Sequence, residues 1–258
     1  MLTEERRQII MSILVVHGTV SLVDLSRTVR ASEVTVRRDL RALESSGLIV
    51  RHRGGASVTR LGMDEPTFRD KSQVASDEKQ AIAGLAATLL EDGEVVMLLA
   101  GTTTQALAQR LVRRRLMIVT NSVLVADALC DARDVEVVLL GGVLRGSIRG
   151  VVGGDAESHV SRFRFDKVFM SGNGISARNG LSTPNAHVAS IDRRTTERSR
   201  RVVVLADHTK VGIDSPIQTI PPDRIDVLVT DSSAPADEVE SFREAGISVM
   251  IADARPHP

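Results

Sequence analysis

Apolar residues in the first sixty positions recur with a helical period in three short stretches. In TEERRQIIMSILVV (3–16), Ile9, Ile10, Ile13 and Leu14 share one face, Thr3 stands as N-cap, and Glu4 and Glu5 complement the helix dipole. Gly18 ends this helix. SLVDLSRTV then opens on a Ser-x-x-Asp pattern at Ser21 and keeps Leu22, Leu25 and Val29 at helical spacing. A third helix begins at Ser32, carries Val36, Leu40 and Leu43 at i, i+4 and i+7, and stops at Gly47. LIVRHRGG alternates apolar and basic residues before Gly54-Gly55, which predicts a short β-ribbon.

Beyond residue 57 the pattern changes twice. Residues 58–75 lack sustained periodicity and contain a proline, so they are expected to be a linker. SDEKQAIAGLAATLL predicts a capped helix from Ser76. After it, short apolar runs (EVVMLLA, LMIVT, VEVVLLGG, KVFMSG, RVVVLAD, IDVLVT, ISVMIA) alternate with helical segments. Buried strands separated by helices imply a mostly parallel α/β sheet of Rossmann-like type. The expected division is therefore a helical head with a wing over 1–57, a linker over 58–75 and a larger α/β domain over 76–258.

Composition narrows this picture. Apolar residues make up 42% of the 258 and aromatics only 2%, so the cores must be aliphatic and stacking platforms are disfavoured. One cysteine, Cys130, excludes an internal disulfide. The first residues lack the features of a secretory signal, and no apolar run approaches the roughly 18 residues of a membrane span, so a cytoplasmic protein without membrane partners is expected. Six histidines lack metal-binding spacing, and no metal or cofactor is assigned.

The formal charge is zero, yet residues 1–60 hold ten arginines against six acids while 61–258 hold 23 basic residues against 27 acids. A basic head on a slightly acidic body is the asymmetry of a chain whose first domain meets nucleic acid. In the third helix Val34, Arg37, Arg38 and Arg41 project away from the apolar stripe, which is the geometry of a recognition helix. Ser32 and Thr35 can donate to DNA oxygens or base edges, and the ribbon carries Arg51, His52 and Arg53 toward phosphates. The competing reading is a solvated helix whose arginines pair with Glu33, Asp39 or Glu44.

In the larger domain, four strand-end loops are expected to face a ligand. Gly101, Thr102, Thr103 and Thr104 enter a helix, as do Asn121 and Ser122. Gly141 and Gly142 allow close backbone approach beside Arg145, and Asp207 with Lys210 follows the strand RVVVLAD. Taken singly, each hydroxyl reads as a plain helix cap, and Asp207–Lys210 as a structural or ligand-holding ion pair. The arginines among Arg193, Arg194, Arg198, Arg200 and Arg201 read as an exposed helix, and Arg113–Arg115 as a helix end.

The stretch from ERRQIIMSIL through SEVTVRRDLRALESSGLIVRHRGGA, residues 5–56, resembles the winged helix-turn-helix of the DeoR family of bacterial transcriptional regulators. That resemblance implies DNA contacts from Ser32, Thr35, Arg37 and Arg38, with Asp39 and Leu40 holding the helix in its domain. EPTFRD, GTT, TNS, LLGG, VGGDA, GLSTPN and LADHTK, across about residues 65–252, resemble the family's effector domain, which is similar in fold to ribose-phosphate isomerases and binds sugar phosphates or related metabolites. Three positions depart from the family pattern: Leu99 replaces an acid, Val188 or Ser190 a glutamate, and Asp192 a lysine. The resulting expectation is a DNA-binding repressor, homo-oligomeric on a double-stranded operator and controlled by a small phosphorylated effector. The alternative is a sugar-phosphate isomerase-type enzyme with a nucleic-acid-binding head.

Overall fold

The computed structural model describes residues 6–7, 9–10, 13–14, 19–45, 49–52, 54–58 and 67–253. The chain divides into two compact units, Met1–Glu65 and Pro66–Pro258.

In the first unit, residues 6, 7, 9, 10, 13 and 14 are helical, and Ile10 and Leu14 are buried. The expected stops at Gly18 and Gly47 lie outside the described residues. Strand β1 (Thr19–Ser21) leads directly into helix α1 (Leu22–Thr28), whose N-cap Ser21 accepts from the Asp24 amide as the Ser-x-x-Asp pattern requires. Helix α2 (Glu33–Ser45) buries Val36, Leu40 and Leu43, which join Ile10, Leu14, Leu22, Leu25, Val29, Ile49 and Ala56 in one small aliphatic core. Strands β2 (Ile49–His52) and β3 (Gly55–Val58) pair antiparallel, and β1 adds to the far side of β3, giving the order β1-β3-β2. The wing is thus a three-stranded sheet, where the sequence predicted a two-stranded ribbon. Three residues of β1 are too few to show alternation.

In the second unit, helix α3 (Phe68–Gln73) lies inside the segment expected to be a linker. Its signal is a capping box: the Asp70 amide donates to the Thr67 hydroxyl, and the Thr67 amide to the Asp70 carboxylate at 3.1 Å. α3 buries no residue of its own, which is why apolar periodicity does not reveal it. Helix α4 (Ser76–Ala87) follows, and here the expected side-chain cap at Ser76 is absent. The N-cap is Ala75 in the left-handed region at φ 51°, with no side-chain cap bond.

The remaining strands are β4 (Val95–Leu98), β5 (Leu116–Thr120), β6 (Val135–Leu139), β7 (Val143–Arg145), β8 (Gly150–Val152), β9 (Phe165–Met170), β10 (Gly174–Ser176), β11 (Gly180–Thr183), β12 (Ser199–Leu205), β13 (Ile217–Ile220), β14 (Val227–Asp231) and β15 (Ser248–Ala252). Interleaved with them are α5 (Thr102–Arg110), α6 (Val123–Leu129), α7 (Gly154–Val160), α8 (Ala186–Glu197) and α9 (Ala236–Glu244). Seven strands form one sheet in the order β15-β14-β12-β9-β4-β5-β6, and every adjacent pair is parallel. One aliphatic core includes residues of α4, α5 and α6; a second includes residues of α7, α8 and α9. The central strands are therefore covered on both sides, as a parallel sheet demands, while the edge strands β6 and β15 leave residues such as Leu139 and Ile251 exposed.

Two antiparallel additions escape the sequence pattern: the β7–β8 hairpin and the sheet β10-β11-β13. The segment Ser199–Leu205 is a strand, so Arg200 and Arg201 stand on the sheet's amino edge and not on a helix. Among the described residues no helix is long and apolar enough to cross a membrane.

Candidate DNA-binding and effector sites

Helix α2 presents the polar face that its sequence predicts. Val34, Arg37, Arg38 and Arg41 are exposed, with Val34 at 77%, while Val36 and Leu40 on the opposite side are sealed in the core. The Ser32 hydroxyl accepts from the Thr35 amide at 3.3 Å and lies 2.9 Å from the Thr35 hydroxyl, capping the helix start. Asp39 is buried and receives the Nε atoms of Arg6 (2.6 Å) and Arg7 (3.3 Å), so it pins α2 to the N-terminal segment. The hydrogen bond from Arg6 to Asp39 also raises the Arg6 pKa above its ordinary value.

The solvated-face reading holds for part of this set. Arg37 lies 3.7 Å from Glu33 across one helical turn, with both side chains largely exposed. Arg51 donates from Nε to Glu44 at 2.5 Å, and that bond holds the Glu44 carboxyl below its usual pKa. This pair ties the wing to α2, so the Arg51 charge is already partnered. Arg38 makes no ion pair or side-chain hydrogen bond among the described residues and is exposed. His52 is exposed on β2; Arg53 lies outside the described residues.

Strand order places the second site. The chain runs from β4 outward through β5 and β6 on one side, and through β9, β12, β14 and β15 on the other, so the topological switch point lies between β4 and β9. Crevices outside the carboxyl ends of strands at such points take ligands. Gly101 and Thr102–Thr104 sit at that end of β4, entering α5. Ser171, Gly172 and Asn173 sit beside them at the end of β9; a Cβ on Gly101 would lie 3.5 Å from the Ser171 Cβ. The sequence reading missed this β9 loop.

Several predicted polar groups are already committed. The Thr104 hydroxyl donates to Leu99 O (2.6 Å) and Gly101 O (3.0 Å). Asn121 accepts from the Ala100 amide at 2.8 Å and donates to Val151 O at 3.0 Å, locking the β4 loop to β8. Ser122 caps α6 by accepting from the Val125 amide. These three are scaffold. Gly142, at φ 138°, passes so close to β8 that a Cβ would lie 3.0 Å from Val151, while Arg145 is half-buried on β7. By contrast, the Thr103 hydroxyl is fully buried in the first turn of α5 and has no hydrogen-bond partner among the described residues. Leu99 lies in the core, and Asp192 is buried.

Asp207 completes the edge. It is fully buried, accepts from Lys210 Nζ at 2.9 Å and from the Thr209 hydroxyl, and stands 3.8 Å from Lys79 Nζ. Lys79, on α4, also donates to the carbonyls of Lys71 and Val74 at the end of α3. Burial pushes the Asp207 carboxyl up, but Lys210, the Thr209 hydroxyl and Lys79 together outweigh it and leave its pKa below the carboxylate norm. Burial, reinforced by repulsion from Lys210, lowers Lys79 to about 8. Sequence reasoning passed over Lys79, although a signal existed. Positions 79, 82, 83 and 86 form one helical stripe whose other members, Ile82, Ala83 and Ala86, are buried, so a lysine there must also be buried.

Two family models match the chain: the DeoR-like helix-turn-helix domain over residues 6–60 and the DeoR C terminal sensor domain over 74–232. The HTH-type transcriptional regulator GlpR of Haloferax volcanii is 37% identical over 257 residues, covering 99% of this chain and 100% of its own. The glycerol-3-phosphate regulon repressor of Escherichia coli is 30% identical over 236 residues, covering 91% of this chain and 93% of its own. Among solved structures, a ribose 5-phosphate isomerase A from Methanocaldococcus jannaschii aligns over 53% of this chain and 54% of its own, with a TM-score of 0.40 and 16% identity. With a matching head, a matching sensor domain and relatives that span nearly its whole length, the chain belongs to the DeoR family of transcriptional regulators.

Proposed function

We propose that the protein is a repressor of carbohydrate or related metabolic genes whose operator affinity is set by a phosphorylated sugar or similar anion bound at the carboxyl edge of the seven-stranded sheet. The observation that carries the effector half is the charge surplus there. Two largely buried lysines, Lys79 and Lys210, face a single carboxylate, Asp207, beside the switch point. Uncompensated positive charge at the edge of a sheet is stabilised by an incoming anion. The start of α5 adds backbone N–H groups and the unpartnered Thr103 hydroxyl. Its relatives, which include the glycerol-3-phosphate regulon repressor of Escherichia coli, agree with a phosphorylated ligand.

The same geometry disfavours turnover. Asp207 is held ionised as a counter-ion to two ammonium groups, so its low basicity suits it poorly to taking a carbon-bound proton. On the DNA side, Ser32, Thr35, Arg37, Arg38 and Arg41 are the proposed groove contacts, with His52 and the wing on adjacent phosphates. A head this small reads repeated half-sites best as a homo-oligomer. The effector acts only through its different affinity for DNA-competent and DNA-incompetent states.

The direct test is thermal stabilisation of the full chain by inorganic phosphate, glycerol 3-phosphate and a panel of hexose and pentose phosphates, with the free sugars as controls. Stabilisation by the phosphates alone supports the site; equal stabilisation by free sugars, or none by any anion, overturns it. Thr103→Val removes the unpartnered hydroxyl while keeping the shape. It is expected to leave folding stability unchanged and to weaken the stabilising phosphate by roughly 10- to 100-fold, the loss of one hydrogen bond to a charged group. An anion settling near Lys79 also raises its pKa from about 8, so binding at pH 8 to 8.5 takes up protons. Calorimetric titration in buffers of different ionisation enthalpy reads that uptake directly.

A further inference from the structure

The amino edge of the seven-stranded sheet, opposite the proposed effector site, carries a second concentration of arginine. The segment 161–165 leads into β9 and the segment 198–201 opens β12. Parallel pairing sets them side by side, with Ser199 opposite Phe165 and Arg201 opposite Lys167. Arg198 donates from Nε to Phe163 O at 3.0 Å, and the Phe165 amide donates to Arg198 O at 2.9 Å, zipping the two segments together. Phe163 stacks on Phe165 with ring centroids 5.8 Å apart, so the Arg-Phe-Arg turn is anchored from beneath. Arg162, Arg164, Arg200 and Arg201 are all exposed.

Acids flanking these two segments carry contacts of their own. Asp166 accepts from the Val95 amide at 3.0 Å and from Arg200 at 3.2 Å; the Arg200 side chain is nevertheless 84% exposed. Glu197 pairs with Arg194, Glu94 with Lys167, and Asp226 accepts from the Val202 amide. Arg162, Arg164 and Arg201 make no ion pair or side-chain hydrogen bond among the described residues. The unit as a whole is slightly acidic, with 23 basic residues against 25 acids over 66–258, so this concentration does not follow from bulk composition.

We infer that this edge is a second DNA-contacting surface, one that takes backbone phosphates of duplex DNA. The inference rests on the head binding DNA. Guanidinium forks match phosphate oxygens in geometry, and Arg162, Arg164 and Arg201 meet them without giving up an ion pair, while Arg200 exchanges its exposed contact with Asp166. A surface of this kind adds affinity and salt dependence without sequence information. An acidic protein partner would use the same charges, and the test separates the two.

The experiment uses the full chain, a random-sequence 60-base-pair duplex and fluorescence anisotropy across a salt series. The variant R162Q/R164Q/R200Q/R201Q is compared with the charge-matched R69Q/R113Q/R178Q/R243Q, both checked for native melting. The edge variant is expected to lose roughly two to four from the slope of log affinity against log salt, at about 0.9 per phosphate contact. It should also bind at least tenfold more weakly at low salt, while its stabilisation by the phosphate panel stays unchanged. The control variant should lose much less. Equal losses in both variants, or none in the edge variant, overturn the inference and leave the first proposal intact; the second result is the one an acidic protein partner would give. No duplex binding by the unaltered chain at any salt sinks both.

Discussion

Replacing Asp207 by alanine is expected to destabilise the second unit by about 3 to 5 kcal/mol, the usual consequence of removing one partner from a buried charge cluster. The side chain is fully inaccessible, and its carboxylate is the counter-charge for Lys210 at 2.9 Å and Lys79 at 3.8 Å. Without it, two ammonium groups face each other in a site that water reaches poorly, and the Thr209 hydroxyl loses its acceptor. Denaturant unfolding of the full chain, followed by a probe in the second unit, measures the loss. A change below about 1 kcal/mol would show that water or a side-chain shift compensates the lysines and that the cluster is not tightly held.

The pH dependence of that loss gives a second reading. Lys79 titrates at about 8 when folded and near 10.5 when unfolded, so between those values the unfolded chain binds more protons and stability rises with pH. In Asp207→Ala the attraction that opposes this lowering is gone, so Lys79 deprotonates at lower pH and the deficit shrinks as the solution becomes alkaline. Asp207 itself works in the other direction of the scale. Its folded pKa lies below the ordinary value, so the stability it provides is present above that value and disappears as pH falls through the folded one. The gap between the original chain and the variant should therefore be widest in mildly acidic solution, close as pH falls through the Asp207 value and narrow as pH rises toward about 8.

How much of this was legible depends on whether a residue's role shows in its spacing. The α2 face was legible because Val36, Leu40 and Leu43 mark one side of a helix and leave the arginines on the other. The parallel sheet was legible because its strands are continuous aliphatic runs bounded by loops. α3 was not, since a six-residue helix that buries nothing leaves only its Thr67–Asp70 box as a trace. The β9 loop Ser171-Gly172-Asn173 was hidden for a different reason: its place at the switch point follows from strand order, which no local pattern encodes. The hydroxyls of Thr103 and Thr104 look alike in sequence, yet one is spent on two carbonyls and the other has no partner. Arg200 and Arg201 were misassigned to a helix because the continuous apolar run of β12 begins only after them, at Val202.

For the DNA-binding face, Arg38→Ala is expected to weaken operator binding by about 1 to 3 kcal/mol, roughly 5- to 150-fold, with no change in effector-induced stabilisation. Arg38 should show the largest effect of its set because it gives up nothing on binding. Arg37 must first loosen Glu33, and Arg51 must leave Glu44, so part of what each gains from DNA replaces an interaction it already has. Val34 sharpens the distinction between base reading and simple charge. An aliphatic side chain 77% exposed near the start of α2 has no internal packing to explain it, whereas a thymine methyl in the major groove would cover it. Val34→Ala should therefore lower affinity for the operator without altering the salt slope, and its effect should vanish when one A·T pair is exchanged for G·C. If Arg38→Ala and Val34→Ala both weaken random duplex as much as operator, α2 lies against phosphates rather than in the groove. The source of sequence recognition would then have to be sought in the wing.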